Sequence, residues 1–298
     1  MTELFTYYLF PGLILGSIYA LGAVGVSLLF GILRFAHFAH GDLMTFGAYV
    51  AFSMVTLFNI SPYMAIPVSI VGGIGISILI DKICYRPFRQ SKTIVLVISS
   101  LGVSLMLRSI IQIFWGVDYE VYFSGIQPSI DVAEDFRIKI HHIWIMLGSF
   151  SLIFLTHLFL KMTKLGKAMR AMSDDSELAL ITGIHTERVI TATWIIGGSL
   201  AAVAGVFLGI DTQLSPSMGW DQLLPLFAAA ILGGIGRPYG AIAGAMIIGV
   251  AEELSSYPGF LGEDAPLLSP AYKTGVAFFI MVVMLIVKPT GLFRGRQF

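Results

Sequence analysis

Hydrophobic runs near membrane-spanning length alternate along this chain with short polar connections. The long runs lie near 8–33, 43–58, 62–80, 93–115, 143–160, 190–210 and 271–287. A membrane-crossing helix needs about 20 apolar residues, and backbone polar groups in lipid must be satisfied inside the segment. Between the last two runs, 223–235 and 239–253 are shorter and are split by Gly236-Arg237-Pro238. Counted as crossings, they give nine in all. As a re-entrant pair they lower the count. The expected fold class is an all-α integral membrane protein: a polytopic helical bundle of about 8–9 spanning segments with broken or re-entrant half-helices. Residues 1–298 read as a single transmembrane domain. The first run holds Pro11, Gly12, Gly16, Gly22, Gly25 and Gly31; such helices pack tightly or break where protein or water meets the freed backbone.

The polar connections differ in sign. Segments 81–92, 161–189 and 288–298 carry Lys82, Arg86, Arg89, Lys92, Lys161, Lys164, Lys167, Arg170, Arg188, Lys288, Arg294 and Arg296, which is 12 of the 18 basic residues. Segments 116–142, 211–222 and 251–270 carry 11 of the 18 acidic ones. Lys/Arg-rich loops stay in the cytoplasm. The basic segments are therefore expected inside and the acidic ones outside, with the N-terminus outside and the C-terminus inside.

Composition narrows the classes. Only 12% of residues are charged and 56% are hydrophobic, against about 25% charged in soluble domains. The net charge is zero, which argues against a nucleic-acid partner. A single cysteine, Cys84 in the first basic segment, excludes an intrachain disulfide framework. The N-terminus lacks a basic n-region, and its first run is long enough to remain as a span, so no cleavable signal is expected.

One internal similarity has an offset of 203 positions. Gly31-Ile32-Leu33-Arg34 lies over Gly234-Ile235-Gly236-Arg237, and Leu29, Gly41 and Ala48 match Leu232, Gly244 and Ala251. Transporters commonly carry weak repeats with interrupted segments at matching places. Chance identity in glycine-rich text is the other explanation.

Three constellations invite chemistry. In His37-Phe38-Ala39-His40-Gly41-Asp42, after Arg34, two His at i and i+3 share a helix face. A metal or proton relay, a pathway lining and a plain surface loop all suit this pattern, but metal motifs bring a third ligand that is not apparent here. In 166–188, Ser173 is a plausible N-cap, Asp174, Asp175 and Glu177 suit a helix N-terminus, and Gly183 suits a C′ position. This predicts a short helix over about 174–182, either interfacial or docking a cytoplasmic partner. In 93–115, Ser104, Arg108 and Gln112 are spaced by four and share a face. They form a polar stripe toward a pore, or Arg108 snorkels to the interface.

Absences matter as well. The chain holds no Gly-x-x-x-x-Gly-Lys-Ser/Thr phosphate loop, no His-Glu-x-x-His and no Gly-x-Ser-x-Gly. No metal or other cofactor is expected, and a machine that uses ATP would need other chains.

Taken in order, several motifs resemble a known family. Gly16-Ser17-Ile18-Tyr19-Ala20-Leu21-Gly22, Gly31-Ile32-Leu33-Arg34-Phe35-Ala36 and Phe38-Ala39-His40-Gly41-Asp42 are similar to the first part of the high-affinity branched-chain amino-acid ABC permeases. Arg170-Ala171-Met172 through Gly183-Ile184 is similar to that family's cytoplasmic coupling loop, here about 161–189, and Leu232-Gly233-Gly234-Ile235-Gly236-Arg237-Pro238-Tyr239-Gly240-Ala241 to its glycine signature. The resemblance implies a non-enzymatic, multi-pass translocation subunit in the prokaryotic inner membrane. It implies pairing with a second permease or a copy of itself, two cytoplasmic ATP-binding subunits and an extracytoplasmic substrate-binding protein. It implies that the segment near Asp174, Asp175, Ala179, Gly183 and Ile184 touches the ATPase, and Leu178, an apolar position of the short helix, is expected to couple with them. His37, His40, Asp42, Ser104, Arg108, Gly234 and Gly236 are the expected path residues. The cargo is expected to be an amino acid, branched-chain first; other amino acids, urea or short amides are alternatives. Family members often have Asn where this chain has His37, which suits a polar role there rather than metal ligation. An ion-coupled secondary transporter would instead need carboxylates deep in the spans, and an intramembrane hydrolase a nucleophile–base or metal constellation.

Overall fold

The computed structural model describes residues 4–123, 125, 129–133, 136–258 and 268–293. Glu134, Asp135, Glu263 and Asp264 of the acidic segments, and Arg294 and Arg296 of the third basic one, lie outside the described residues. Among the described residues, six helices are long and apolar enough to cross a membrane: α1 (Phe5–Leu33), α2 (His40–Phe58), α3 (Pro62–Phe88), α4 (Thr93–Trp115), α5 (Ile140–Met162) and α8 (Thr186–Asp211). Between α5 and α8 lie the short α6 (Lys164–Asp174) and α7 (Ser176–Ile181). Then come α9 (Met218–Gly233), α10 (Pro238–Leu254) and α11 (Thr274–Val287), all shorter. Thus three of the nine hydrophobic runs form helices below full spanning length. A small antiparallel hairpin, β1 (Ser129–Ala133) with β2 (Phe136–Lys139), precedes α5; its short, mixed text gave no strand periodicity.

Helices α1 and α8 form the centre. They are mostly buried, whereas α3, α4 and α5 show most of their surface outward. Lipid tails are as apolar as leucine, so close backbone approach and dispersion hold such a bundle together. Glycine makes that approach possible. A Cβ at Gly12 would stand 2.8 Å from Val250 Cα, and one at Gly16 would meet Met246 Cα at 3.0 Å. At Gly31 it would meet Gly236 Cα at 3.2 Å. These pairings run in opposite directions along the chain, so α1 and α10 are antiparallel.

The 203-residue offset reappears in the packing. Gly16 of α1 packs on Ala245, Met246 and Gly249 of α10, while Gly219 of α9, its offset partner, packs on Gly41 and Thr45 of α2. Shifted by the same offset, Gly41 and Thr45 fall at 244 and 248. The α1–α10 and α9–α2 packed helix pairs are therefore related by an approximate two-fold operation, within about one residue of register.

Contacts also sort the charged segments by end. Arg89 bonds Asp81 and, at 2.6 Å, Glu187. Ser173 and Gly236 both crowd Gly31, and Gly291 packs on Gly234. The described parts of all three basic segments thus share one end. At the other end, Glu120 bridges Leu214, His142 lies 3.3 Å from Asp211, and Lys273 bonds Glu253 at 2.5 Å.

Candidate functional site

The centre of the molecule holds two helix starts. After α1, Arg34 takes a left-handed conformation (φ 59°) as the C-cap. The chain then climbs back over Phe35–Ala39, and α2 begins at His40 inside the bundle. The His40 ring would stand 2.8 Å from a Cβ at Gly25, well before the end of α1. From the other side, α9 begins beside the midpoint of α1: Tyr19 Oη lies 2.7 Å from Gln222 Oε1. The two starts overlap. A Cβ at Gly219 would collide with the Gly41 carbonyl oxygen, and the Gly219 N–H donates to Thr45 Oγ1 at 3.0 Å. Neither helix has a side-chain cap, and each carries an acid in its first turn, Asp42 or Asp221. Two positive helix ends therefore converge at mid-depth.

Helix α4 secures this break. Ser100 Oγ accepts from the Phe38 N–H at 3.2 Å. Ser104 donates a short hydrogen bond to Asp42 Oδ2, and Arg108 Nε reaches Asp42 Oδ1 at 3.3 Å. Of the stripe expected along α4, Ser104 and Arg108 face Asp42, with Ser100 one turn before them, whereas Gln112 faces outward. The first task of the stripe is to satisfy polar groups that lipid cannot. Asp42 is completely buried, which corrects the surface-loop alternative for 37–42. Arg108 also lies over the Trp220 ring, 4.8 Å from its centroid, and its Nη2 is buried without a hydrogen-bond partner. Trp220 is 37% exposed, and Asp221 beside it is exposed too.

His37 takes no part in this cluster. Its Nε2 lies 2.8 Å from Tyr85 Oη, and Phe35, Tyr85 and Trp194 pack edge-on or tilted around it. The His37 and His40 rings stand 6.1 Å apart, and among the described residues no third side chain completes a metal set. Gly234 and Gly236 form the turn between α9 and α10 with φ of 105° and 78°, values that suit glycine. They lie at the basic end, away from the Asp42–Arg108 cluster. Sequence reasoning missed Glu252, assigned to an outer acidic segment. It is buried, with Oε2 2.8 Å from Tyr19 Oη. The apolar positions flanking it in α10 were the available signal.

The coupling segment forms two helices rather than one. Ser173 lies inside α6, and Asp175 caps α7 by accepting from the Glu177 and Leu178 amides. Asp174 closes α6. Gly183 (φ 85°) ends α7: its N–H reaches Leu180 O, and the Ile184 N–H reaches Ala179 O, both at 3.1 Å, as a Schellman motif requires. Ala179 is only 3% exposed, so it does not belong to an outer face. Leu178, Leu180 and Ile181 are the exposed apolar residues.

A bundle of apolar helices with a polar, interrupted centre defines a multi-pass membrane permease. The sequence matches, over residues 8–285, the family described as branched-chain amino acid transport system / permease component. The high-affinity branched-chain amino acid transport system permease protein LivH of Escherichia coli (strain K12) is 35% identical over 98% of this chain and 97% of its own length. BraD of Pseudomonas aeruginosa, with the same description, is 30% identical over 98% and 97%. In fold, PsaBC from Streptococcus pneumoniae is similar at a TM-score of 0.53 and 14% identity, covering 97% of this chain and 95% of that one. The chain belongs to the branched-chain amino-acid transport permease family, the permease components of ABC importers, and is a multi-pass protein of the prokaryotic inner membrane.

Proposed function

We propose that this chain carries branched-chain amino acids across the membrane as one half of an ATP-driven importer. Two cytoplasmic ATP-binding subunits, a second permease or a copy of this one, and an extracytoplasmic binding protein complete the machine. The chain itself catalyses no reaction. The names of its relatives support the cargo.

The observation that carries the path is the exposed Trp220–Asp221 edge beside Arg108 at mid-depth. An exposed carboxylate there is costly against lipid, roughly 2.5–3.5 kcal/mol on insertion scales, so this edge faces a water-filled path between permease subunits. Converging helix ends and the nearby Arg108 charge suit a passing carboxylate. Asp221 suits an ammonium group, and Trp220 an aliphatic chain. Leu178, Leu180 and Ile181 of α7 form the apolar face that docks the ATPase.

The test is leucine uptake into proteoliposomes holding the whole importer. Uptake should require ATP and binding protein and should fall in Asp221→Asn, with leucine affinity of the binding protein unchanged. Uptake driven by an ion gradient without ATP would overturn the reading.

A further inference from the structure

A polar–apolar cavity of about 180 Å³ lies at the basic end, between α1, α5, α6 and the turn into α10. Its apolar wall includes Ile32, Leu160 and Met169. Ser27 lines it as well, fully buried, with an Oγ that has no hydrogen-bond partner. Arg170 and Arg237 stand at its edge, and among the described residues neither guanidinium has an ion-pair partner. Asp174 adds a carboxylate at the same mouth.

This lining has a definite chemistry. An apolar cavity of about 150 Å³ is enough to take benzene, so this one has room for a small aliphatic side chain. A buried hydroxyl left unpaired is costly, and a ligand's polar head relieves it. Guanidinium groups take a carboxylate. These features together fit an aliphatic carboxylate, the class to which a free aliphatic α-amino acid belongs. The cavity walls belong to elements that must move relative to each other if α6 and α7 transmit ATP-driven motion. An occupant tying α6 to α1 and to the α9–α10 turn opposes that motion.

We propose that this cavity binds the cargo amino acid from the cytoplasmic side and thereby slows further import. The inference rests on the importer reading for its cargo and orientation. The Asp42–Arg108–Trp220 cluster lies elsewhere and takes no part.

The experiment uses the complete importer in proteoliposomes, with binding protein and leucine enclosed. ATP added to the bath reports only complexes whose ATPase subunits face outward. Leucine is then titrated into the bath. ATP hydrolysis should fall by about five-fold or more, with lysine inert. Arg170→Gln and Arg237→Gln should each relieve the inhibition, read against each variant's own rate without bath leucine. Ser27→Leu, which fills the cavity, should do the same. Calorimetric titration of leucine into the complex without binding protein should show binding that is lost in Arg170→Gln. Flat wild-type hydrolysis, despite stimulation by enclosed leucine, overturns the inference and leaves the importer reading intact. Inhibition that persists in all three variants also overturns it, because leucine then acts elsewhere. If enclosed leucine never stimulates hydrolysis, the importer reading fails and this inference with it.

Discussion

Tyr19 and Gln222 meet side chain to side chain at 2.7 Å, and they are 203 positions apart. That is the offset relating the two packed helix pairs, so the contact lies on their approximate two-fold axis. The same phenol stands 2.8 Å from Glu252 Oε2. One hydroxyl proton cannot serve both acceptors. Donation to Glu252, with the Gln222 amide turned to donate to the phenol, satisfies all three groups.

Tyr19→Phe removes the donor to a buried carboxylate. Permease stability should fall by about 1–3 kcal/mol, read as a lower thermal midpoint of the purified importer. Adding Glu252→Gln should recover part of the loss. An unchanged midpoint in Tyr19→Phe would mean that Glu252 does not depend on this bond.

Asp42→Ala leaves Arg108 without its carboxylate. Breaking a buried pair costs about 3–5 kcal/mol, and the partly exposed Arg108 places this case toward the lower figure. The double change with Arg108→Met should be less damaging than Asp42→Ala alone. Denaturation of the four forms measures the coupling. Strict additivity would show that the two residues do not support each other.

The exposed and buried positions of α7 should respond differently. Ile181→Arg should leave permease abundance unchanged and abolish stimulated ATP hydrolysis. Ala179→Arg should lower abundance, because it drives a long charged side chain into the chain's own packing. Normal hydrolysis in Ile181→Arg would remove α7 from the coupling role.

Gly219→Val should prevent folding, since the added carbon overlaps the Gly41 carbonyl. Gly75→Ala, with nothing within 4 Å of the added carbon, should accumulate normally. Fluorescence-detected size exclusion distinguishes the two. Equal behaviour would show that this helix crossing can relax.

Cys84 is the lone thiol and is partly buried. An impermeant thiol reagent should label it in permeabilised cells and leave it untouched in intact ones. Labelling of intact cells would reverse the orientation of the basic end.

Much of the fold is legible because lipid punishes unsatisfied backbone so severely. The long apolar runs, the Arg34 and Gly236 interruptions and Gly183 at C′ all follow from local rules. Pairing across the bundle does not. Nothing near Glu252 in sequence announces Tyr19, and the four-residue spacing on α4 matches Ser100, Ser104 and Arg108 as well as it matches Ser104, Arg108 and Gln112. Which rung faces inward depends on where the 34–39 connection lies. Ala179 shows the same limit: on a helix of six residues, a rotation of one residue, about 100°, decides between docking surface and interior.

The converging starts of α2 and α9 have an electrical consequence. Each helix end is worth about half a positive charge, and Arg108 adds one more. Asp42 and Asp221 oppose them, so the formal sum is near zero. Along the proposed path, an amino-acid zwitterion, itself neutral, would enter without upsetting that sum. A sodium ion, a proton or a chloride would leave a whole uncompensated charge where the dielectric is low. On the proposed path, such a centre would pass its cargo while remaining a poor conductor, and the cell would keep its ion gradients while it feeds.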